Sequence, residues 1–356
     1  MNKFLIIQTA FIGDVVLATI IIEKLHADFP DAQIDFLLKK GNEGLLENHP
    51  FVNKVLIWDK KQHKTKNLFA LINIIRCTKY TKVINVQRYF STGLVTALSG
   101  AEEKIGFDKN PLSFLFDVKG KYVIGTKENP IHEVRRSLSL VAHFTSDVSV
   151  SVKLYPTQQD YEKAEAIKNN AFLSDGYEVN LSNMILQTEP VEYICIAPCS
   201  VWFTKQYPKE KWIEFIKHLG RQTHIFLLGS KSDKLFCDDI KTALPDYPIC
   251  NLCGEVSFLQ SAALMQNAVM NYVNDSAPLH IASAMNAPVI AIFCSTVTWF
   301  GFTPLNSNGF VIEKEESLPC KPCTSHGKRT CPQKHFKCAN DITVRQLLAP
   351  LNRVSV

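Results

Sequence analysis

No apolar run in this 356-residue chain approaches the ~20 residues that a membrane-spanning helix needs. A Lys and an apolar stretch near the N-terminus resemble a secretion signal. Gln8 and Asp14 interrupt that stretch, however, and no small-residue cleavage site follows. The reading is therefore mature structure and a cytoplasmic protein. Helix-turn-helix, finger and aromatic RNA-binding signatures are missing, so nucleic acid is not expected as a partner. Short internal repeats and low-complexity segments are missing too, which excludes solenoids and argues for ordinary globular domains. Charge is modest at 21% and apolar content is 46%, as in soluble globular chains. At this length two domains are expected.

The net charge of +5 is unevenly spread. Residues 1–150 hold 20 Lys and Arg against 15 Asp and Glu, and the remainder holds 19 against 19. A basic first half suits an anionic partner. The run Lys60-Lys61-Gln62-His63-Lys64-Thr65-Lys66 is read either as part of that surface or as a plain solvated face.

Strand-like runs at Phe4–Ile7, Ile34–Leu38, Val55–Trp58 and Val83–Val86 alternate with helical stretches such as Val15–Leu25 and Leu68–Cys77. This spacing implies βαβ units and a parallel sheet. Val15–Leu25 is apolar on nearly all sides, so a buried helix is expected. His132–Phe144 reads as another helix, carrying Arg135 and Arg136. The alternation resumes at Tyr193–Ala197 and ends with the apolar strand Val289–Phe293. The expected organisation is a first Rossmann-like domain over 1–172, a polar linker over 173–190, a second domain over 191–340 and a closing helix over 341–356. A ligand site in the cleft between the domains is the default expectation.

Three strand ends carry candidate chemistry. Gly13 and Asp14 follow the first strand, and a carboxylate there serves either as a helix cap or as a proton acceptor. Ala197-Pro198-Cys199-Ser200 leads to Lys205, a cation placed to face phosphates or simply a surface lysine. A further strand ends at Gly229-Ser230. Asn274-Asp275-Ser276-Ala277-Pro278-Leu279-His280 joins a strand to a helix whose first N–H groups suit a diphosphate, while Asp275 suits sugar hydroxyls. The alternative is a capped strand–turn–helix with no ligand.

These motifs resemble the ADP-heptose:lipopolysaccharide heptosyltransferases, glycosyltransferase family nine, over almost the whole chain. The resemblance rests on Ile12-Gly13-Asp14-Val15-Val16-Leu17-Ala18-Thr19, on Trp202 to Trp212 and on Asn274 to Gly301. It implies the GT-B architecture of two doubly wound Rossmann-like domains facing a central cleft. It also implies an inverting, metal-independent transfer of heptose to the lipopolysaccharide inner core. Asp14 then matches the general base and Lys205 the lysine on the donor phosphates. Asp275 matches the acid on the heptose hydroxyls. Ser276, Ala277 and His280 match positions around the diphosphate and sugar, and Ser200 and Gly229 belong to the same donor side. Gly13, Arg88 and Arg136 fall on the acceptor side, with Arg135 beside them. The family usually has Gly where this chain has Ala277. The implied partners are ADP-heptose, a lipid A–Kdo or heptosylated core acceptor, and the inner membrane surface as a peripheral contact. The rival readings are a GT-B transferase for another nucleotide sugar, an epimerase of similar geometry, and a nucleotide-sugar-binding protein without turnover.

Of the eleven cysteines, Cys320, Cys323, Cys331 and Cys338 stand apart as Cys-x2-Cys-x7-Cys-x6-Cys. Their spacing is read as a structural zinc site, with disulfides or free thiols as the alternative. No cofactor is expected for catalysis.

Overall fold

The computed structural model describes residues 1–174 and 192–351. The chain divides into two compact units, Met1–Tyr155 with Trp299–Gly301, and Pro156–Thr298 with Phe302–Val356.

The first unit is built on six parallel strands: β1 (Lys3–Ile7), β2 (Gln33–Lys39), β3 (Lys54–Trp58), β4 (Lys82–Asn85), β5 (Glu103–Phe107) and β6 (Val118–Gly120). Their order is β3-β2-β1-β4-β5-β6. Four helices accompany them: α1 (Ile12–Asp28), α2 (Lys64–Thr78), α3 (Phe90–Ala97) and α4 (Glu133–Ser139). β1 pairs on both sides, with Leu5 opposite Asp35 and Val83. A central parallel strand covered on both faces must be apolar throughout, and Phe4 to Ile7 are fully buried. α1 is buried from Val15 to Leu25, as its composition predicts. Its buried charges find partners: Glu23 accepts the Tyr155 hydroxyl at 2.8 Å, and Lys24 Nζ lies 3.3 Å from Asp28. Trp58, Tyr80, Ile75, Leu5, Ile7 and Leu37 pack into one core on this sheet. Each such side chain contributes about 1.5–3 kcal/mol by leaving water.

The second unit begins with α5 (Gln158–Ser174) and repeats the plan. Its strands are β7 (Tyr193–Ala197), β8 (His224–Leu227), β9 (Ile249–Asn251), β10 (Met270–Asn274), β11 (Val289–Phe293) and β12 (Gly309–Glu313), in the order β12-β11-β10-β7-β8-β9. Its other helices are α6 (Lys209–Leu219), α7 (Lys234–Thr242), α8 (Phe258–Asn267), α9 (Ala277–Ala284), α10 (Lys337–Asn340) and α11 (Val344–Leu348). Counted from its own first strand, this sheet has the same order as the first. Both are doubly wound sheets, and both reverse direction beside their first strand, at β1/β4 and at β7/β10. Ligands bind at the carboxyl ends of strands at such a switch point. Among the described residues no helix is long and apolar enough to cross a membrane.

Four details differ from expectation. α5 packs on α8, with Tyr161 donating to Gln266 at 2.5 Å, so it belongs to the second unit rather than to a first domain ending at 172. α4 stops at Ser139 instead of continuing to Phe144. In the closing segment α11 covers Val344–Leu348, the chain turns at 349–350, and the segment is built into the second core, where the Tyr207 and Tyr272 hydroxyls donate to the carbonyls of Ile342 (3.1 Å) and Leu347 (3.2 Å). Trp299–Gly301 returns to the first unit, where Gly301 O accepts the Glu133 N–H at 2.8 Å. Gly301 has φ +92°, and a Cβ there would lie 2.1 Å from the Ile131 carbonyl oxygen, so only glycine fits. Most of the expected linker 173–190, and the last residues 352–356 of the expected closing helix, lie outside the described residues.

Candidate active site

In the first unit the chain leaves β1 through a four-residue turn, residues 8–11, and enters α1 at once. Gly13 is therefore buried in the first helical turn rather than in the loop. Asp14 stands at the third helical position, and its carboxylate accepts the Phe11 N–H at 3.1 Å. That bond satisfies one of the orphan donors at the helix start. The cap reading of Asp14 is thus correct as far as it goes, and the surroundings add to it. The turn is braced from neighbouring strands. Lys60 Nζ donates to the Thr9 carbonyl (2.8 Å) and hydroxyl (2.9 Å), and the Thr9 hydroxyl donates to Gln87 Oε1 at 2.6 Å. Asn42 Nδ2 donates to the Ala10 carbonyl at 3.2 Å.

Cations gather around this carboxylate. Burial pulls the Lys39 ammonium below its ordinary pKa, and the Asp14 charge opposes that fall. Burial, with Lys39 and Lys64 nearby, brings Lys60 down to about 8. Of the basic run at 60–66, Lys60 is half-buried and built in, while Lys61, Lys64 and Lys66 are exposed. Arg88 is exposed just past β4, its guanidinium 4.0 Å from the centre of the Tyr122 ring. Burial raises the Tyr122 phenol, and the charges of Glu133 and Asp14 add to that rise.

Arg136, expected on the acceptor side, is an internal residue of the first unit. It is 4% exposed and grips the unit from within. Nε and Nη2 donate to Glu133 Oε2 at 2.8 and 2.6 Å, Nη1 to the Ile131 carbonyl at 2.6 Å, and Nη2 to the Phe300 carbonyl at 2.8 Å. Burial raises the Glu133 pKa, and Arg136 is the main opposing influence. Arg135, one position earlier, is the exposed member of the pair. Glu133 and Tyr122, both in electrostatic range of Asp14, were missed from sequence. Nothing local marks them, because only the fold packs α4 on α1 and brings the segment after β6 into range of Asp14.

In the second unit the loop after β7 runs through a short 3-10 turn, Phe203–Lys205. Lys205 is not a free cation. Its Nζ lies 2.8 Å from Asp275 Oδ2, with the two side chains 15% and 6% exposed. The same carboxylate oxygen accepts the Thr296 hydroxyl at 2.6 Å. Asn274 ties the two switch-point loops together, accepting Tyr207 N–H at 2.9 Å and donating to the Pro198 carbonyl at 2.8 Å. The Ser200 N–H donates to Gln206 Oε1 at 3.2 Å. Ser276 occupies the N-cap position of α9, but its hydroxyl donates back to the Asn274 carbonyl at 3.3 Å instead of capping the helix. Ala277 opens α9 and His280 is buried one turn later. Gly229 follows β8, where a Cβ would press on Cys253 Sγ at 2.9 Å. No Lys or Arg occurs between Lys241 and Lys314, so β10, α9 and their loop bring no cation of their own to this site.

The Cys-rich segment reaches the same place. Thr204 exchanges bonds with Lys328: its hydroxyl accepts the Lys328 N–H at 2.7 Å, and its N–H donates to the Lys328 carbonyl at 3.1 Å. Cys323 N–H donates to the Ser295 carbonyl at 3.0 Å. Cys320, Cys323, Cys331 and Cys338 are free thiols. Burial, then the neighbouring Cys320 and Cys331, raise Cys323, and burial, then Cys323, pushes Cys338 up to about 12. Among the described residues no three His, Cys, Asp or Glu side chains are grouped to hold a metal ion. The thiols are neighbours, but as placed they do not fit the zinc site expected from their spacing.

Known proteins resemble this chain in sequence and in fold. A lipopolysaccharide heptosyltransferase 3 of Escherichia coli is 27% identical over 294 residues, covering 80% of this chain and 82% of its own. The structure of E. coli ADP-heptose lps heptosyltransferase II superposes with a TM-score of 0.75 at 20% identity, covering 99% of this chain and 98% of that one. The iron-containing dodecameric glycosyltransferase TibC of enterotoxigenic E. coli superposes with a TM-score of 0.54 at 12% identity, covering 99% of this chain and 76% of that one. The two sheets thus have the GT-B heptosyltransferase fold. The family model for glycosyltransferase family 9 (heptosyltransferase) matches residues 68–335, and the chain is a glycosyltransferase belonging to that family.

Proposed function

We propose that the protein moves heptose from ADP-heptose to a sugar of the lipopolysaccharide core, working in the cytoplasm on a lipid-borne acceptor at the inner membrane surface. The observation that carries this reading is the Lys205–Asp275 pair at the switch point of the second sheet. A lysine suits the donor diphosphate, and a carboxylate suits sugar hydroxyls. Each group satisfies the other until a ligand offers both a better partner. The N–H groups at the start of α9 and the Ser200 loop complete the donor side, with Gly229, Ser276, Ala277 and His280 around them.

On the acceptor side, Asp14 takes the proton of the acceptor hydroxyl as that oxygen attacks C1 of the heptose. The bond from C1 to the phosphate oxygen breaks, ADP leaves with the electron pair, and C1 inverts. Lys205 stabilises the charge that collects on the diphosphate. Gly13 lets the acceptor approach the helix start, and Arg88 meets its anionic groups. Arg136 acts as a positioning residue through Glu133. In this reading catalysis takes no metal.

Calorimetric titration with ADP-heptose, with UDP- and GDP-sugars as controls, tests the donor assignment. Selective ADP-heptose binding is expected. Selective binding of another nucleotide sugar would keep the transferase and remove the heptose. Binding of none would leave a protein without turnover.

A further inference from the structure

Large apolar side chains lie exposed along one edge of the first unit. Tyr89 and Phe90 open α3, Phe114 and Leu115 lie between β5 and β6, and Val123 and Ile124 follow β6, with exposures from 46% to 69%. Neighbouring polar groups, the buried Asn110 and the half-buried Asp108, hold these three segments side by side. Asn110, 2% exposed, donates from Nδ2 to the carbonyls of Tyr89 (3.1 Å) and Gln87 (3.2 Å) and accepts the Leu112 N–H at 3.0 Å. Asp108 accepts the Tyr122 N–H on its carboxylate at 3.0 Å and the Ser113 hydroxyl on its carbonyl at 3.1 Å. The apolar side chains are thus presented by an ordered frame of hydrogen bonds. Soluble proteins leave single apolar residues exposed, but a contiguous group marks a contact.

The charges on the same segments identify the partner. Lys109, Lys119, Lys121 and Lys127 are exposed there. Of the acids, Asp117 is held by Lys104 at 2.8 Å and Asp108 faces Lys121 at 3.6 Å, so Lys109, Lys119 and Lys127 stand against Glu128 alone. Lysines ringing aromatic and aliphatic side chains fit an anionic lipid surface, where rings enter the headgroup boundary and ammoniums meet phosphates. A protein partner is less suited, because protein interfaces are depleted in lysine. The patch also adjoins the acceptor side of the candidate site, since Tyr122 precedes Val123 and carries Arg88 on its ring.

We propose that this edge, from the start of α3 through the β5–β6 turn to the segment after β6, docks the protein on a membrane surface rich in anionic lipid. The proposal deepens the reading of the first unit as the half that meets a lipid-borne acceptor. Flotation of the full chain with vesicles of phosphatidylethanolamine and phosphatidylglycerol, against vesicles of phosphatidylcholine alone, tests it. The wild type is expected to float with the anionic vesicles only. The triple substitution Phe114→Ser, Leu115→Ser, Ile124→Ser is expected to lower partitioning by about tenfold or more, as loss of buried apolar area at the interface requires. The pair Phe69→Ser and Leu235→Ser, at exposed apolar sites elsewhere, is expected to change nothing. A wild type that stays off anionic vesicles, or a triple variant that partitions as well as the wild type, would overturn the proposal. So would a lipid-free dimer in sedimentation velocity that the triple variant dissolves, since the occupant would then be a second copy. ADP-heptose calorimetry on the same samples keeps the two readings apart: vesicle binding without ADP-heptose binding would remove the proposed reaction and leave the docking edge standing.

Discussion

The two units share one strand order and use it differently. In the first, four residues separate β1 from α1, and α1 is buried almost throughout. Asp14 is consequently fixed by a helix it cannot leave, in a turn braced by Lys60, Gln87 and Asn42. In the second, eleven residues separate β7 from α6, and the cation they carry is held by an ion pair to the neighbouring strand end. A short turn into a buried helix gives position, whereas a long loop ending in an exchangeable pair gives a group that can change partners. Under the proposed function this division suits the chemistry. A proton acceptor must be aimed before the reaction, and misplacement by about 1 Å can cost a hundredfold. A phosphate-binding lysine needs to be released only when the phosphates arrive.

The largest effect should come from the fixed side. Asp14→Asn keeps a side-chain oxygen for the Phe11 N–H, so folding should survive. Turnover with ADP-heptose and acceptor should fall by about 10²–10⁴-fold, the usual worth of a general base. The dissociation constant for ADP-heptose should not move. Turnover within a few-fold of wild type would show that Asp14 is a cap and no more.

On the exchangeable side the expected loss is in binding. Lys205→Ala should weaken ADP by about ten- to a hundredfold, the worth of a hydrogen bond to a charged group. It also strands Asp275, and removing one member of a buried pair costs about 3–5 kcal/mol. The double substitution Lys205→Met, Asp275→Asn separates the two effects. It should recover most of the melting temperature and none of the ADP affinity. An unchanged ADP dissociation constant in either variant would refute the phosphate role.

The sequence shows whatever is repeated along the chain or confined to a few neighbours. The alternation of strands and helices, the buried character of Val15–Leu25 and the strand–helix joint at Asn274–Pro278 are of that kind. Structure decided what depends on distant partners. Arg135 and Arg136 look alike in a one-line reading, and only the phase of α4 against the core turns one outward and the other onto Glu133. Lys205 looks free because Asp275 is seventy positions away. The zinc reading came from spacing alone, and spacing does not report whether thiols converge. The return of Trp299–Gly301 to the first unit has a faint signal in Gly301, whose need for a left-handed backbone and a close carbonyl is invisible without its neighbour Ile131.

A smaller substitution asks whether the second site owes its shape to the Cys-rich segment. Gly327 has φ +83°, and a Cβ there would meet Lys205 Cγ at 2.9 Å and Trp202 Cβ at 3.1 Å. Gly220 has φ +84° with nothing within 4 Å of its Cβ position. Gly327→Ala and Gly220→Ala both place an L side chain at positive φ, at a cost of about 1–3 kcal/mol, and only the first also presses on the lysine. Both should lower the melting temperature by a few degrees. Only Gly327→Ala should weaken ADP binding, by a few-fold, because Lys205 must shift to admit the methyl group. Neither should alter the apparent affinity for acceptor, since both glycines belong to the second unit. Equal ADP affinity in the two variants would mean that the loop after β7 holds Lys205 unaided. In that case Lys205 would be set locally, as Asp14 is, and the contrast between the two switch points would reduce to the length of their loops.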